Sequence, residues 1–358
     1  MAWKNAQQGR SQEGTGRIIL NPRNIDMISH WNSIENPLTI KKTSTRDGFG
    51  EAMMELGRKN KNVVVLTADL MDSMKVGEFA TAFPDRFIEC GVAEQNMMGI
   101  AAGLALSGKI PFVCSFAVFN PGRNWDQLRV SVAFSNANVK IIGGHTGLAV
   151  GPDGATHQAL EDIALTQVLP NLTVLSPADS NQTKQAIEQC AQTSDPTYIR
   201  ISREATPVLS NSETPFKLGK LQLVADGDDV TLLSTGPLLY EVLLAKQHLQ
   251  NMGIQAQVLN AHTLKPFDVQ GLLTHTQKTR CVVTIEDHQV TGGLGSIVAQ
   301  SLATHLPLPM EFIGVQDQFG QSGTVKQLYE HYGITARHIA LAARKVITKK
   351  NHGSLVQY

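Results

Sequence analysis

Phe, Trp and Tyr together make up only 6% of the 358 residues, so two aromatics close together in sequence call for a reason. Cysteine is scarcer: Cys90, Cys114, Cys190 and Cys281 are far apart, with no Cys-x-x-Cys pair and no His at ligand spacing. This excludes a disulfide frame and the common zinc spacings, and the four read as buried reduced thiols. Neither sign of charge prevails, with 31 basic and 31 acidic residues, so neither nucleic acid nor an anionic membrane is expected as a main partner. No apolar run approaches the roughly 18 residues of a membrane span, and the polar start Met1-Ala2-Trp3-Lys4-Asn5-Ala6-Gln7-Gln8 lacks a signal-peptide core. A cytoplasmic location is expected. No internal repeat or low-complexity tract is present.

What is there is a 42% hydrophobic content, enough for real cores, in a chain whose length suggests two domains. Residues 1–42 are polar and weakly periodic and read as an arm of unassigned role. From Thr45 the pattern changes: Phe49, Met53, Met54 and Leu56 mark a helix, and Val63-Val64-Val65-Leu66 has the continuous apolar character of a parallel strand buried on both faces. Further strands are expected at 112–114, 139–142, 172–175 and 197–201, with helices between them at Trp125 to Phe134 and Ser180 to Gln192. A polar segment, Leu209 to Pro215, reads as a linker. Beyond it a second alternation runs through strands at 230–233, 256–259 and 281–285. The expected fold is α/β, two domains with helix-covered, mostly parallel sheets, over 43–208 and 219–348, joined by 209–218 and followed by a tail at 349–358.

Four constellations carry chemistry. Gly91-Val92-Ala93-Glu94-Gln95-Asn96-Met97-Met98-Gly99 puts a lone carboxylate, Glu94, where a helix starts. The bland reading is an acid favoured by the helix macrodipole. Phe116 and Phe119 stand three apart where a strand gives way to Asn120-Pro121-Gly122, either as ordinary core or as a platform for a planar ring. The loop His145 to Gln158 follows a strand, the favoured place for ligands in α/β sheets, and offers His145, Asp153 and His157 for hydrogen bonding and proton transfer. Arg46, Ser73 and Arg203 each lie near the end of an element, and a guanidinium with a hydroxyl suits a phosphate. Taken singly, each Arg also fits a surface ion pair. Asp226-Gly227-Asp228-Asp229 lacks the downstream Asn of a diphosphate motif, and Gly292-Gly293-Leu294-Gly295 reads as close helix packing rather than a dinucleotide loop.

From about Thr43 to Ile347 the chain resembles the C-terminal half of transketolase. The resemblance rests on Thr45-Arg46-Asp47-Gly48-Phe49-Gly50, Ala68-Asp69-Leu70, Gly91 to Met97, Ser115 to Phe119 and Asp153-Gly154-Ala155-Thr156-His157-Gln158. In the second domain it rests on His262 to Asp268, Glu286-Asp287-His288 and Asp317 to Gly323. It implies thiamine diphosphate as cofactor, with Glu94 on ring nitrogen N1′ of the aminopyrimidine, promoting the imino tautomer that takes the C2 proton. Phe116 and Phe119 would then bind the ring, with Asp69 also at the cofactor, and Glu94, His145 and His157 would be catalytic. His145, Asp153 and His157 would line the substrate channel, with Arg46, Ser73, His145 and Arg203 on the sugar phosphate. The family's Gly-Asp-Gly and later Asn, which bind Mg²⁺ and the diphosphate, have no counterpart in this sequence. A split enzyme is therefore expected: an N-terminal partner subunit supplies the metal site, in an α2β2 assembly through homodimerisation. After Phe119 the sequence Asn120 to Gln127 departs from single-chain transketolases and is closer to split transketolases and deoxyxylulose-phosphate synthase. The alternatives are the beta subunit of a 2-oxo-acid dehydrogenase, a synthase of that kind, and a degenerate regulatory partner without catalysis.

Overall fold

The computed structural model describes residues 28, 30–32 and 40–353. Its strands are β1 (Lys42–Ser44), β2 (Val63–Thr67), β3 (Phe87–Glu89), β4 (Ile110–Phe116), β5 (Lys140–Gly144), β6 (Thr173–Leu175) and β7 (Thr197–Arg200). They continue with β8 (Ala205–Pro207), β9 (Gln222–Ala225), β10 (Val230–Ser234), β11 (Ala256–Asn260), β12 (Thr263–Lys265), β13 (Val282–Gln289) and β14 (Met310–Val315). Seven form one sheet in the order β12-β6-β7-β5-β4-β2-β3, and five form another in the order β14-β13-β10-β11-β9. Pairing in the larger sheet is parallel except between β12 and β6, and in the smaller except between β11 and β9. The α/β class with two helix-covered, mostly parallel sheets is what the alternation of apolar runs and helical periods predicts.

Alternation of side chains along each strand sorts the larger sheet's residues into two layers. Val63 and Val65 join Phe49, Met53, Phe112 and Ile199 on one face, whereas Val64 and Leu66 join Met97, Val113, Ile141 and Tyr198 on the other. The helix Thr45–Lys59 starts at Ser44, whose hydroxyl accepts the Asp47 N–H, and lies close against the helix Ser180–Cys190. Gly48 allows that approach, since a Cβ there would stand 2.3 Å from the Ser180 carbonyl oxygen.

Three features differ from expectation. The stretch Trp125 to Phe134 is a short α-helix, Trp125–Gln127, followed by a π-helix, Leu128–Phe134. Cys90 is half-buried rather than buried, although all four cysteines are free. The third is β12, which lies beyond the linker yet pairs with β6 as an edge strand of the first sheet. Most of the arm lies outside the described residues, but part of it packs along the linker: the Asn32 amide donates to the Val208 and Ser210 carbonyls, and Trp31 is buried. Among the described residues no helix is long and apolar enough to cross a membrane.

Candidate active site

Parallel pairing puts the carboxyl ends of β2, β3, β4 and β5 side by side: Thr67 stands opposite Glu89 and Cys114, and Phe116 opposite Gly144. The chain after each strand therefore opens onto one rim, the crevice where α/β sheets bind ligands. Glu94 follows β3, Phe116 and Phe119 come from the end of β4, His145 follows β5, and Arg203 follows β7.

Glu94 is the first residue of the helix Glu94–Leu106 and is only 1% exposed. Its carboxylate accepts Arg123 Nη1 at 2.9 Å, and its backbone carbonyl accepts the Asn124 amide at 3.2 Å. Asn124 also donates to Asn120, whose own amide donates to the Val113 and Ile142 carbonyls on β4 and β5. The start of the helix is thus referenced to the sheet through two asparagines. Arg123, Asn120 and Asn124 carried no assigned role in the sequence. The available signal was their place in the segment after Phe119 that departs from single-chain relatives.

The aromatic pair is a contiguous surface. The Phe116 and Phe119 rings are near-parallel, 16° apart, with centroids 6.3 Å apart, and Arg123 lies over Phe119 with its guanidinium carbon 4.6 Å from the ring centre. His157 meets both rings edge-on at 6.0 and 5.8 Å, and His145 lies 3.8 Å from Phe116. The Thr156 hydroxyl is 2.9 Å from His157 Nδ1. His145 is buried, and its Nδ1 has no hydrogen-bond partner. Burial, with Arg46, Arg203 and His157 nearby, pushes its pKa down to about 3. At neutral pH it is therefore an uncharged imidazole, suited to hydrogen bonding with an oxygenated ligand rather than to attracting an anion by charge.

Arg46 and Arg203 are brought together by their neighbours. The Ser202 N–H donates to the Thr45 hydroxyl at 2.6 Å, and that hydroxyl donates to the Ser202 carbonyl at 3.2 Å. The next residue on each segment is an arginine, and burial together with the Arg203 charge lowers the Arg46 pKa. Arg46 Nη1 donates to the Ser73 backbone carbonyl at 3.0 Å, while its Nε is buried without a partner. Arg203 Nη1 reaches both Asp153 oxygens at 3.2 and 3.0 Å. Ser73 thus meets Arg46 through its main chain. Asp69 does not join this contact set: it is exposed, and the Glu89 carboxylate accepts the Asp69 and Gly91 N–H groups, tying the ends of β2 and β3 ahead of Glu94.

Fold and site together define an α/β protein in which a row of side chains, at the carboxyl ends of the strands, runs from a buried acid across aromatic and imidazole faces to two arginines. Comparisons with known proteins narrow this class. Residues 41–208 match the transketolase pyrimidine binding domain and residues 219–339 the transketolase C-terminal domain. The 6-deoxy-6-sulfo-D-fructose transketolase subunit SqwH of a Clostridium species is 42% identical over 306 residues, covering 86% of this chain and 95% of that protein. An apulose-4-phosphate transketolase subunit of Phocaeicola vulgatus is 37% identical over 305 residues, covering 85% of this chain and 97% of that protein. A solved structure titled split gene transketolase, inactive beta4 tetramer, matches with a TM-score of 0.81 at 43% identity, over 86% of this chain and 99% of that one. The chain belongs to the transketolase family, of which it carries the pyrimidine-binding and C-terminal domains. Membership implies thiamine diphosphate. The residues present fit the ring half of that cofactor, because a buried carboxylate is linked through Arg123 to an aromatic face. Among the described residues no group of three or more His, Cys, Asp or Glu could hold a metal ion.

Proposed function

We propose that this chain is the C-terminal subunit of a split transketolase that moves a two-carbon ketol unit from a ketose phosphate to an aldose phosphate. The supporting observation is the unbroken row Glu94, Arg123, Phe119, His157, Phe116 and His145, ending beside Arg46 and Arg203. It supplies in sequence an acid, a flat apolar face, two imidazoles and a cationic end. Those are the groups needed to hold a heteroaromatic ring, shuttle hydroxyl protons and bind a terminal anion.

Thiamine diphosphate, when bound, supplies the carbon nucleophile that makes and breaks the bond next to a carbonyl. This chain's residues would act around it. Glu94, itself buried, would hold or give a proton at ring nitrogen N1′. Because Arg123 donates to Oε2, a ring nitrogen on this carboxylate takes either the other oxygen or the place of the guanidinium. Phe119 and Phe116 would carry the ring. His157 would exchange protons with sugar hydroxyls and carbonyl, the neutral His145 would hydrogen-bond to them, and Asp153 would accept from a hydroxyl. Arg46 and Arg203 would bind the terminal anion, and phosphate and sulfonate offer them the same three-oxygen face. The relative named for a sulfosugar makes the second anion a natural comparison. The Mg²⁺ ligands and the diphosphate contacts we assign to an N-terminal partner bearing Gly-Asp-Gly, in an α2β2 assembly.

The purified chain, given thiamine diphosphate, Mg²⁺ and sugar phosphates, is expected to show no ketol transfer until such a partner is added. Robust turnover by the chain alone would overturn the split-site reading, and release of CO2 from a 2-oxo acid by the assembled enzyme would favour a dehydrogenase or synthase instead. In the assembled enzyme Arg203→Ala is expected to raise KM for a phosphorylated sugar about 10- to 100-fold, the worth of one charged hydrogen bond. KM for a small unphosphorylated donor should stay near its starting value. Equal rises for both would remove Arg203 from the anion site.

A further inference from the structure

The loop carrying His145, Asp153 and His157 springs from the first sheet but is fastened to the second. We propose that Asp287, on β13, is a positioning residue for sugar binding, acting through the 145–158 loop without touching substrate. This deepens the transketolase reading and rests on it for the role of the loop.

Asp287 is buried, and its carboxylate accepts the Leu148 N–H at 2.8 Å, the Ala149 N–H at 3.3 Å and the Tyr329 hydroxyl at 3.1 Å. Two successive backbone N–H groups converging on one anion form a concave cradle, and the loop's own turns leave these donors no other acceptor of equal strength. Gly147, at φ +72°, lies so close that a Cβ would sit 2.2 Å from Asp287 Oδ2, so the loop backbone rests directly on the carboxylate. The Asp287 backbone carbonyl accepts Arg200 Nη2 at 2.6 Å, and Arg200 ends β7, three residues before Arg203. A single residue of the second sheet therefore fixes both the segment bearing the imidazoles and the strand leading to the cationic end. Gln158 makes a second fastening at the far end of the loop, its amide donating to the Gln321 carbonyl at 3.1 Å. Glu94 has a different support, the Asn120 and Asn124 pair on the first sheet.

That separation of supports makes the proposal testable. In Asp287→Asn one amide oxygen remains for Leu148, but Ala149 and Tyr329 lose their charged acceptor. In the chain alone, hydrogen–deuterium exchange in 145–158 should quicken about tenfold or more, the effect of one lost hydrogen bond, while 94–106 keeps its wild-type rate. In the assembled enzyme KM for the sugar phosphate should rise by about the same factor. Exchange of the cofactor's C2 proton, which depends on Glu94, should stay at the wild-type rate. Tyr329→Phe removes a single bond to the carboxylate and should move the same readouts in the same direction by less. Unchanged exchange in 145–158, an unchanged KM, or a parallel fall in C2-proton exchange would each overturn the proposal. If the wild-type assembly shows no ketol transfer while the loop loosens in Asp287→Asn, the transketolase reading fails and the fastening stands.

Discussion

Replacing Glu94 with Gln should slow exchange of the cofactor's C2 proton in the assembled enzyme by about 10²- to 10⁴-fold, the usual contribution of a positioned acid–base group. An amide matches the carboxylate in shape and keeps an oxygen for Arg123, and the backbone bond from Asn124 is untouched. What it would lose, on the proposed reading, is the ability to hold or release a proton at N1′. The competing account of Glu94, an acid at the positive end of a helix, makes a different forecast: about 0.3–1 kcal/mol of stability lost and no change in rate. Proton exchange followed by NMR, beside an unfolding curve for each protein, separates the two. A wild-type exchange rate in the variant would remove Glu94 from the chemistry.

The second large effect concerns stability. Asp162 is fully buried and accepts Arg200 Nε at 2.9 and 3.2 Å and the Tyr198 hydroxyl at 2.7 Å. Burial works against the Arg200 charge, yet Asp162 and Asp287 beside it hold its pKa above the ordinary value. Asp162→Ala strands that guanidinium, and unpairing a buried ion typically costs about 3–5 kcal/mol. Tyr198→Phe removes one donor from a carboxylate that keeps its other bonds, and should cost about 1 kcal/mol. Denaturant midpoints of the two variants test the ranking. Equal midpoints would mean the ion pair does not anchor the helix Asp162–Gln167 to β7.

The residues at the strand ends were legible in sequence because parallel strands announce themselves as continuous apolar runs, and the segment after each run must emerge on one rim. Hence Glu94, Phe116, His145 and Arg203 could each be placed near the end of an element, but it was the transketolase resemblance that joined them in one site. Arg123 could not be paired with Glu94 this way, because the contact depends on how the turn after β4 folds back onto the start of the preceding helix, Glu94–Leu106. The π-helix at Leu128–Phe134 was hidden too, since its apolar positions also suit an α-helix. Asp69 reads like a neighbour of the site in sequence, but its positive φ turns the chain so that its N–H meets Glu89. Local pattern carried the order of the elements, whereas contacts made across elements had to be seen.

β12 bears on how such a chain can be divided. The sequence families meet across residues 209–218, yet Thr263–Lys265, well past that boundary, supplies an edge strand of the first sheet, against Thr173–Leu175. A fragment ending at the boundary would expose the bare edge of β6, and its complement would carry a strand with no sheet to join. A cut at 209–218 would therefore part a strand from the sheet it completes.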